Sequence, residues 1–264
     1  MSEVKTKQKK DNIFILIISL VIIAAVAAGV LAVVDYVTQK PRAEAALRVT
    51  VDAFKQLQPD FNNDPVDEVR YIVSSDGKKW SILNKGESPE SYGINVVTIY
   101  PAKKDGKLVS LFAQAVSPIG YGGNLTVLLA MKPDGSIINV VVTEQNETPG
   151  LGTAVFAREI KKSIWGILSG KYKNEGDKLA PNPIMDFFNK KEYIPDDRYT
   201  TADKNSPDII PASKWKVIKD GGDFKFITGA TITSRAVTYG VEKIVSVYYD
   251  TEKDVLKVFG AETK

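Results

Sequence analysis

The residues best placed to do chemistry are the hydroxyl side chains of residues 228–234, TGATITS, which stand directly before an amphipathic stretch. This position predicts the start of a helix with Thr233 or Ser234 as its N-cap. Thr231 would then lie just ahead of the helix N-terminus, where unpaired N–H groups and the helix dipole favour a phosphate. Because a Thr/Ser cluster before a helix is usually only a cap, the pattern locates an anion-binding position without identifying the anion.

Two glycine-rich segments could line a ligand at such a position. Residues 119–123, IGYGG, surround Tyr121 with glycines immediately before a predicted strand, which permits close backbone approach and supplies a flat ring. Residues 147–152, ETPGLG, lie between a predicted strand and a predicted helix, where free N–H groups can hold anionic or carbonyl oxygens. Each segment has an ordinary alternative explanation, a tight strand entry for the first and a strand-to-helix loop for the second.

Composition narrows the possible chemistry. The 264 residues include no Cys and no His, which excludes thiolate-held iron–sulfur clusters, c-type haem, the usual zinc sites and Ser-His-Asp or Cys-His catalysis. Any redox chemistry would therefore need an organic cofactor, and we predict neither a metal site nor a catalytic residue. The 35 basic and 32 acidic side chains are dispersed along the chain, so nucleic acid is not an expected partner.

An uncharged apolar run over residues 13–34 predicts one transmembrane helix of about 33 Å. Four lysines precede the run and Asp35 follows it at once. The positive-inside rule then predicts a cytoplasmic tail at residues 1–12 in a single-pass protein of the cell (inner) membrane, with the main domain periplasmic or extracellular. A cleaved signal peptide is the alternative, but its apolar region usually has only about 7–15 residues.

Beyond the membrane helix, hydrophobic periodicity predicts an α+β domain, an antiparallel sheet with packed helices. The predicted strands cover residues 71–74, 96–100, 108–116, 125–131 and 137–143, the last two forming a hairpin around Lys-Pro-Asp-Gly. The predicted helices are a stalk over residues 43–57, a helix over residues 153–168, and a final helix whose apolar face carries Val237, Val241, Ile244, Val245 and Tyr248. Residues 171–213 lack periodicity and are predicted to be a surface excursion.

One amino-terminal membrane helix is followed, in order, by GYGGNLTVLLAMKPDG, EQNETPGLG and FITGATITSRAV. This combination resembles the G subunit of the Rnf electron-transport complex and, less closely, the C subunit of the sodium-translocating NADH:quinone reductase. Both contain an FMN-binding domain. The resemblance covers about residues 118–247. It implies that residues 35–95 form the stalk and the N-terminal part of the exported domain, and that residues 96–264 form an FMN-binding domain.

The resemblance implies an electron-transfer subunit, without complete activity alone, of a membrane-bound ion-translocating ferredoxin:NAD oxidoreductase. In that family a flavin transferase joins the FMN phosphate to the last Thr of [ST]-G-A-[ST], which is Thr231 here. The other membrane subunits of the complex and membrane lipid are the remaining expected partners. The pattern usually has an acidic residue six positions before the acceptor, where this chain has Lys225, and Asp223 is the nearest acid. The residues carried over as FMN contacts are Tyr121, Gly122, Glu147, Thr148, Gly150, Leu151, Thr228, Gly229 and Ala230.

Two other functions stay open on the sequence. The first is the quinone-reductase C subunit, which would use the same chemistry with a different electron acceptor. The second is a membrane-anchored extracytoplasmic binding or adhesion protein without redox activity, in which the glycine loops are only structural.

Overall fold

The computed structural model describes residues 13–158, 180–201 and 203–261. The chain divides into two compact units, the first ending at Leu47 and the second beginning at Arg48. The longest element is helix α1 (Ile13–Leu57). From Phe14 onward this helix is long and apolar enough to cross a membrane, judged by length and composition.

Helix α1 joins two elements that the sequence predicted separately, the membrane helix over residues 13–34 and the stalk helix over residues 43–57. Pro41 lies inside the helix although it has no backbone N–H to donate. Asp35 accepts hydrogen bonds from Gln39 Nε2 at 3.1 Å and from Arg42 Nη1 at 3.3 Å. These bonds lie along one face of the junction and support its helical conformation.

Six strands form an antiparallel sheet in the second unit. They are β1 (Arg70–Val73), β2 (Ser81–Ile82), β3 (Val96–Lys104), β4 (Lys107–Gly120), β5 (Gly123–Met131) and β6 (Ile137–Glu144). Their order across the sheet is β2-β1-β3-β4-β5-β6, with every neighbouring pair antiparallel. The predicted fold class, an α+β domain around an antiparallel sheet behind an apolar helix, is confirmed.

Both faces of the sheet are covered, which explains why residues 125–131 of β5 are buried without a break. On one face Phe54, from the end of α1, stacks on Phe112 with the ring centroids 4.3 Å apart. The other face packs against the second helix, α2 (Thr231–Phe259). All five apolar residues predicted for the buried face of this helix are buried. A Cβ added to Gly240 would lie 2.6 Å from Val127 Cγ2, so α2 and β5 approach at a distance that only glycine permits.

The predicted helix over residues 153–168 is wrong at its start. The structure forms a short 3-10 helix at Gly152–Val155, and residues 157 and 158 are not helical. At the end of this segment Arg158 Nη1 donates to Ala180 O at 2.9 Å and to Asp186 Oδ1 at 2.7 Å, which joins it to the residues around the Met185–Phe188 turn. The remainder of the predicted helix, residues 159–168, lies outside the described residues.

The described part of the predicted surface excursion, residues 180–201 and 203–213, instead contributes to the core. Strands β7 (Glu192–Ile194) and β8 (Ile209–Pro211) pair in parallel, and a 3-10 helix at Met185–Phe188 buries two of its side chains. The Phe188 ring stacks on Phe224 with centroids 4.6 Å apart. Short strands and single turns have no sustained period, so the hydrophobic pattern could not reveal this burial.

Candidate functional site

The β4–β5 hairpin supplies the first side of the candidate site. Gly120 pairs with Gly123, which leaves Tyr121 and Gly122 as the turn. Gly123 has φ +114°, a conformation that favours glycine. A Cβ on Gly122 would collide with the carbonyl of Asn146, so the turn lies directly against the segment that follows β6.

The loop that follows β6 supplies the second side. Its turn is closed by the Leu151 N–H, which donates to Thr148 O at 3.2 Å, and Gly150 within it has φ +76°. A Cβ on Gly152 would lie 2.5 Å from Glu147 Oε2. Gly152 is therefore needed so that the loop can fold back over the Glu147 carboxylate.

The third side is the start of α2, and here the predicted N-cap is wrong. The helix begins at Thr231 with Ala230 as its N-cap, rather than at Thr233 or Ser234. Gly229 has φ +93° and redirects the chain immediately before the helix, so the first turn forms earlier than the hydroxyl pattern predicted. Thr231 is thus the first helical residue instead of a residue ahead of the helix.

This helix start presents unpaired backbone donors. The N–H groups of Thr231, Ile232 and Thr233 have no intrahelical acceptor, as in the first turn of any α-helix. No side chain in the part of the chain that the structure describes caps them. Together with the helix dipole they favour an anionic group at this end.

One buried carboxylate joins the three sides. Glu147 is 5% exposed. Its Oε2 accepts the Thr233 hydroxyl at 2.7 Å, and its Oε1 accepts the Gly122 N–H at 3.3 Å. Hydrogen bonds to a charged group contribute about 1.5–3 kcal/mol. Glu147 therefore holds the hairpin turn, its own loop and the start of α2 in one arrangement.

Between these segments lies a cleft of about 610 Å³. This volume falls within the range of about 300–1,000 Å³ that is typical of cofactor sites. Three apolar side chains at the cleft are well exposed, Tyr121 at 69%, Leu151 at 56% and Ile232 at 44%. An exposed apolar rim around a polar helix start suits a ligand with a flat aromatic part and an anionic part.

The structure brings most of the predicted site residues together. Seven of the ten line the cleft, namely Tyr121, Glu147, Thr148, Leu151, Gly229, Ala230 and Thr231. Gly122, Gly150 and Thr228 are not among its lining residues. Four lining residues were not predicted as ligand contacts, namely Gly152, Lys219, Ile232 and Thr233, the last of which was predicted only as an N-cap. Three of these stand inside the quoted motifs, whereas Lys219 lies in no motif and had no sequence signal.

The chain is similar to known redox proteins over most of its length. The FMN-binding domain family matches residues 120–246. The G subunit of the ion-translocating oxidoreductase complex of Salmonella typhi is 31% identical over 227 residues, which cover 86% of each chain. Its counterpart in Salmonella typhimurium is 30% identical over the same shares, and that in Escherichia coli K12 is 35% identical over 102 residues, 39% of this chain and 32% of the relative. The chain belongs to this G-subunit family.

Membership in this family makes FMN the cofactor to test against the cleft. The exposed Tyr121, Leu151 and Ile232 side chains fit the apolar ring system of a flavin, and the uncapped N–H groups of α2 fit its phosphate. The residues present therefore fit FMN. The apolar helix from Phe14 onward and the family membership together indicate a membrane-anchored protein.

Proposed function

We propose that this chain is the electron-transfer subunit of a membrane-bound ion-translocating redox complex and that it carries FMN on Thr231 through a phosphoester bond. The family match and the named relatives support an FMN electron-transfer subunit with other complex subunits as partners. The covalent link and its position rest on the geometry of the hydroxyl groups at the start of α2.

The covalent proposal is supported by differences in exposure and hydrogen bonding among the hydroxyl side chains of residues 228–234. Thr233 and Ser234 are each 1% exposed, and their hydroxyls donate to Glu147 Oε2 and to Ala230 O. Thr228 is exposed but does not line the cleft. Thr231 is half-buried, lines the cleft, and its hydroxyl has no hydrogen-bond partner among the described residues. Thr231 is therefore the accessible nucleophile at the phosphate position.

Direct condensation of FMN with a hydroxyl group releases water, and in aqueous solution the equilibrium favours hydrolysis of the ester. Formation of the ester therefore needs an activated flavin donor. A flavin dinucleotide meets this need, since its phosphoanhydride bond breaks as the bond between Thr231 Oγ1 and phosphorus forms. A nucleoside monophosphate leaves and the hydroxyl proton is released. Glu147 is a poor base for this step, because both of its carboxylate oxygens already accept hydrogen bonds from the protein. The flavin transferase therefore removes the hydroxyl proton.

FMN, when bound, supplies the electron chemistry. The chain's own residues hold it: Thr231 tethers the phosphate, the first turn of α2 solvates it, and the apolar rim shields one part of the ring from water. A tether prevents loss of the cofactor by diffusion, which matters if the domain lies outside the cytoplasm. No acid or base of the protein is required for electron transfer.

Mass spectrometry of the full chain tests the covalent proposal. After coexpression with a flavin transferase, the peptide that contains Thr231 should gain the mass of FMN minus one water. Thr231→Ala should abolish the flavin fluorescence that survives denaturing electrophoresis. Thr231→Ser is the matched control, because it keeps a hydroxyl at the same position and still satisfies the [ST]-G-A-[ST] pattern, so it should retain the flavin. Flavin retained in Thr231→Ala would refute the assignment.

We also propose that the amino terminus is cytoplasmic and the second unit extracytoplasmic, because Lys5, Lys7, Lys9 and Lys10 precede the apolar helix. The chain has no Cys, so single cysteines can report on topology without background. In intact cells a membrane-impermeant maleimide should label Lys85→Cys and not Thr6→Cys. Labelling of both variants after detergent treatment is the control, and the reverse pattern in intact cells would overturn the orientation.

Copurification tests the partners. The full chain, isolated in mild detergent from its native membrane, should bring other membrane subunits with it. Recovery of the flavinylated chain alone under conditions that keep other complexes intact would contradict a role within a complex.

A further inference from the structure

Lys219 stands out among the cleft residues because no sequence motif contains it and the arrangement described so far gives it no role. It lies in the 3-10 turn Ile218–Asp220, is exposed, and lines the same cleft as Thr231. Its ammonium group makes no salt bridge with any residue that the structure describes. An unpaired cation beside an uncapped helix start adds positive charge where the phosphate would lie.

The turn that carries Lys219 is fixed to α2 by an adjacent ion pair. Asp220 accepts two hydrogen bonds from Arg235, at 2.6 Å from Nε and at 2.6 Å from Nη2. Arg235 follows Thr231 by four residues, so the two side chains occupy the same face of α2. The bidentate contact therefore holds the turn beside the proposed acceptor hydroxyl.

The same contact determines which cation is available. Its bonds to Arg235 lower the pKa of Asp220 below its ordinary value, and those to Asp220 raise the pKa of Arg235. Both directions agree with the bidentate geometry, in which the guanidinium is engaged by this carboxylate. Lys219 attracts Asp220 only at longer range and makes no hydrogen bond or salt bridge with the described residues, so its ammonium group can meet a ligand.

We infer that Lys219 is the side-chain partner of the FMN phosphate, and that the Asp220–Arg235 ion pair is a positioning device that keeps Lys219 at the cleft. This inference rests on the proposed function, since it takes FMN as the ligand. It adds a phosphate-specific contact that the family motifs do not contain. The pair of Lys219 and phosphate lies at the surface, so its contribution should be modest and salt-dependent.

Reversible binding to the flavin-free full chain in detergent separates the phosphate contact from the ring contacts. FMN and riboflavin share the ring, so the FMN-to-riboflavin ratio of binding affinities reports the contribution of the phosphate. Lys219→Gln should weaken FMN binding about three- to fivefold and leave riboflavin binding unchanged. Lys219→Arg should restore the wild-type ratio, and added salt should reduce that ratio. Lys253→Gln is the control, because it removes an exposed lysine of α2 far along the helix from the cleft.

The positioning role of the ion pair has its own variant. Asp220→Asn combined with Arg235→Gln removes the ion pair without freeing either charge to act on the phosphate, so the double variant should lower the FMN preference by less than Lys219→Gln does. An unchanged FMN-to-riboflavin ratio in Lys219→Gln overturns the phosphate contact, and an unchanged ratio in the double variant overturns the positioning role.

The initial rate of FMN incorporation by a flavin transferase at limiting FAD is a second readout of the phosphate contact. It does not require reversible binding strong enough to measure. Lys219→Gln should slow incorporation by a similar factor, and an unchanged rate counts against the inference. If the wild-type chain incorporates FMN and Lys219→Gln matches it, only this inference fails. If the wild-type chain incorporates none, the proposed covalent function fails.

Discussion

Thr233→Val is expected to destabilise the second unit by about 2 kcal/mol, although it removes only a hydroxyl group. Thr233 is 1% exposed, and its hydroxyl donates to Glu147 Oε2 at 2.7 Å. Valine has nearly the same shape and a similar helix propensity, so the substitution isolates the hydrogen bond. The carboxylate left without this donor belongs to Glu147, which is 5% exposed.

The magnitude follows from the type of bond. A hydrogen bond to a charged group contributes about 1.5–3 kcal/mol, and leaving such a group buried and unsatisfied costs a similar amount. In a domain of this size 1 kcal/mol corresponds to about 2–4 °C in the melting temperature. We therefore expect Thr233→Val to melt about 4–8 °C below the wild-type chain. Thr233→Ser keeps the donor and should lose much less.

The assay is thermal unfolding of the flavin-free full chain in detergent, followed by circular dichroism, and combined with Glu147→Gln in a double-mutant cycle. A glutamine at position 147 can accept from the Gly122 N–H and donate to the Thr233 hydroxyl, so the single variant should be milder than Thr233→Val. Coupling between the two sites should appear as non-additive losses. Equal melting of Thr233→Val and Thr233→Ser, or strictly additive losses, would show that Glu147 does not hold the start of α2 through this bond.

Three further predictions concern packing, pH dependence and maturation. Gly240→Ala should cost about 1–3 kcal/mol because the added methyl meets Val127 Cγ2 at 2.6 Å, and Val127→Ala should recover part of this loss in melting experiments. Burial raises the pKa of Glu242 to about 7, so its ionisation weakens the fold as the pH rises from about 4.5 through 7. Glu242→Gln should therefore raise the melting temperature at pH 8, by an amount equivalent to about 1–2 kcal/mol after allowance for its partial exposure, and the gain should disappear at pH 4. Lys225→Asp, which restores the acidic residue of the family pattern, should speed FMN incorporation in a transferase assay; an unchanged rate would show that the position is unimportant, and a slower rate that an acid there is not favoured.

The parts of the fold that the sequence predicted are those with a long local pattern. The hairpin of β5 and β6 combines alternating residues with a Pro-Asp-Gly turn, and α2 repeats apolar residues at helical spacing over several turns. The hydrogen bond that joins Trp215 to the two-stranded sheet of β7 and β8 was not predictable in this way. Its Nε1–H donates to Ile210 O at 2.9 Å from a segment of short turns, which have no period.

The site was predicted in its segments but not in its contacts. Motifs indicated which segments converge, yet the bonds that join them link Glu147 to Gly122 across 25 positions and to Thr233 across 86. No local rule relates residues at such separations, and a carried-over role as a flavin contact hid the role of Glu147 in joining the segments. Lys219 was missed for a similar reason, because the contacts that bring its turn to the cleft include the ion pair between Asp220 and Arg235, which are 15 positions apart.

The start of α2 can bind a ligand because, contrary to the prediction, neither Thr233 nor Ser234 is its N-cap. A Ser or Thr at the N-cap would occupy one of the free N–H groups and stabilise the helix by about 1 kcal/mol. Ala230 cannot do this, and the hydroxyls of Thr233 and Ser234 bond elsewhere, to Glu147 and to Ala230 O. The sequence thus has hydroxyl groups near the helix start but directs none of them to the N–H groups. A phosphate on Thr231 would take the place of the missing cap, so the same donors would stabilise the helix and hold the cofactor.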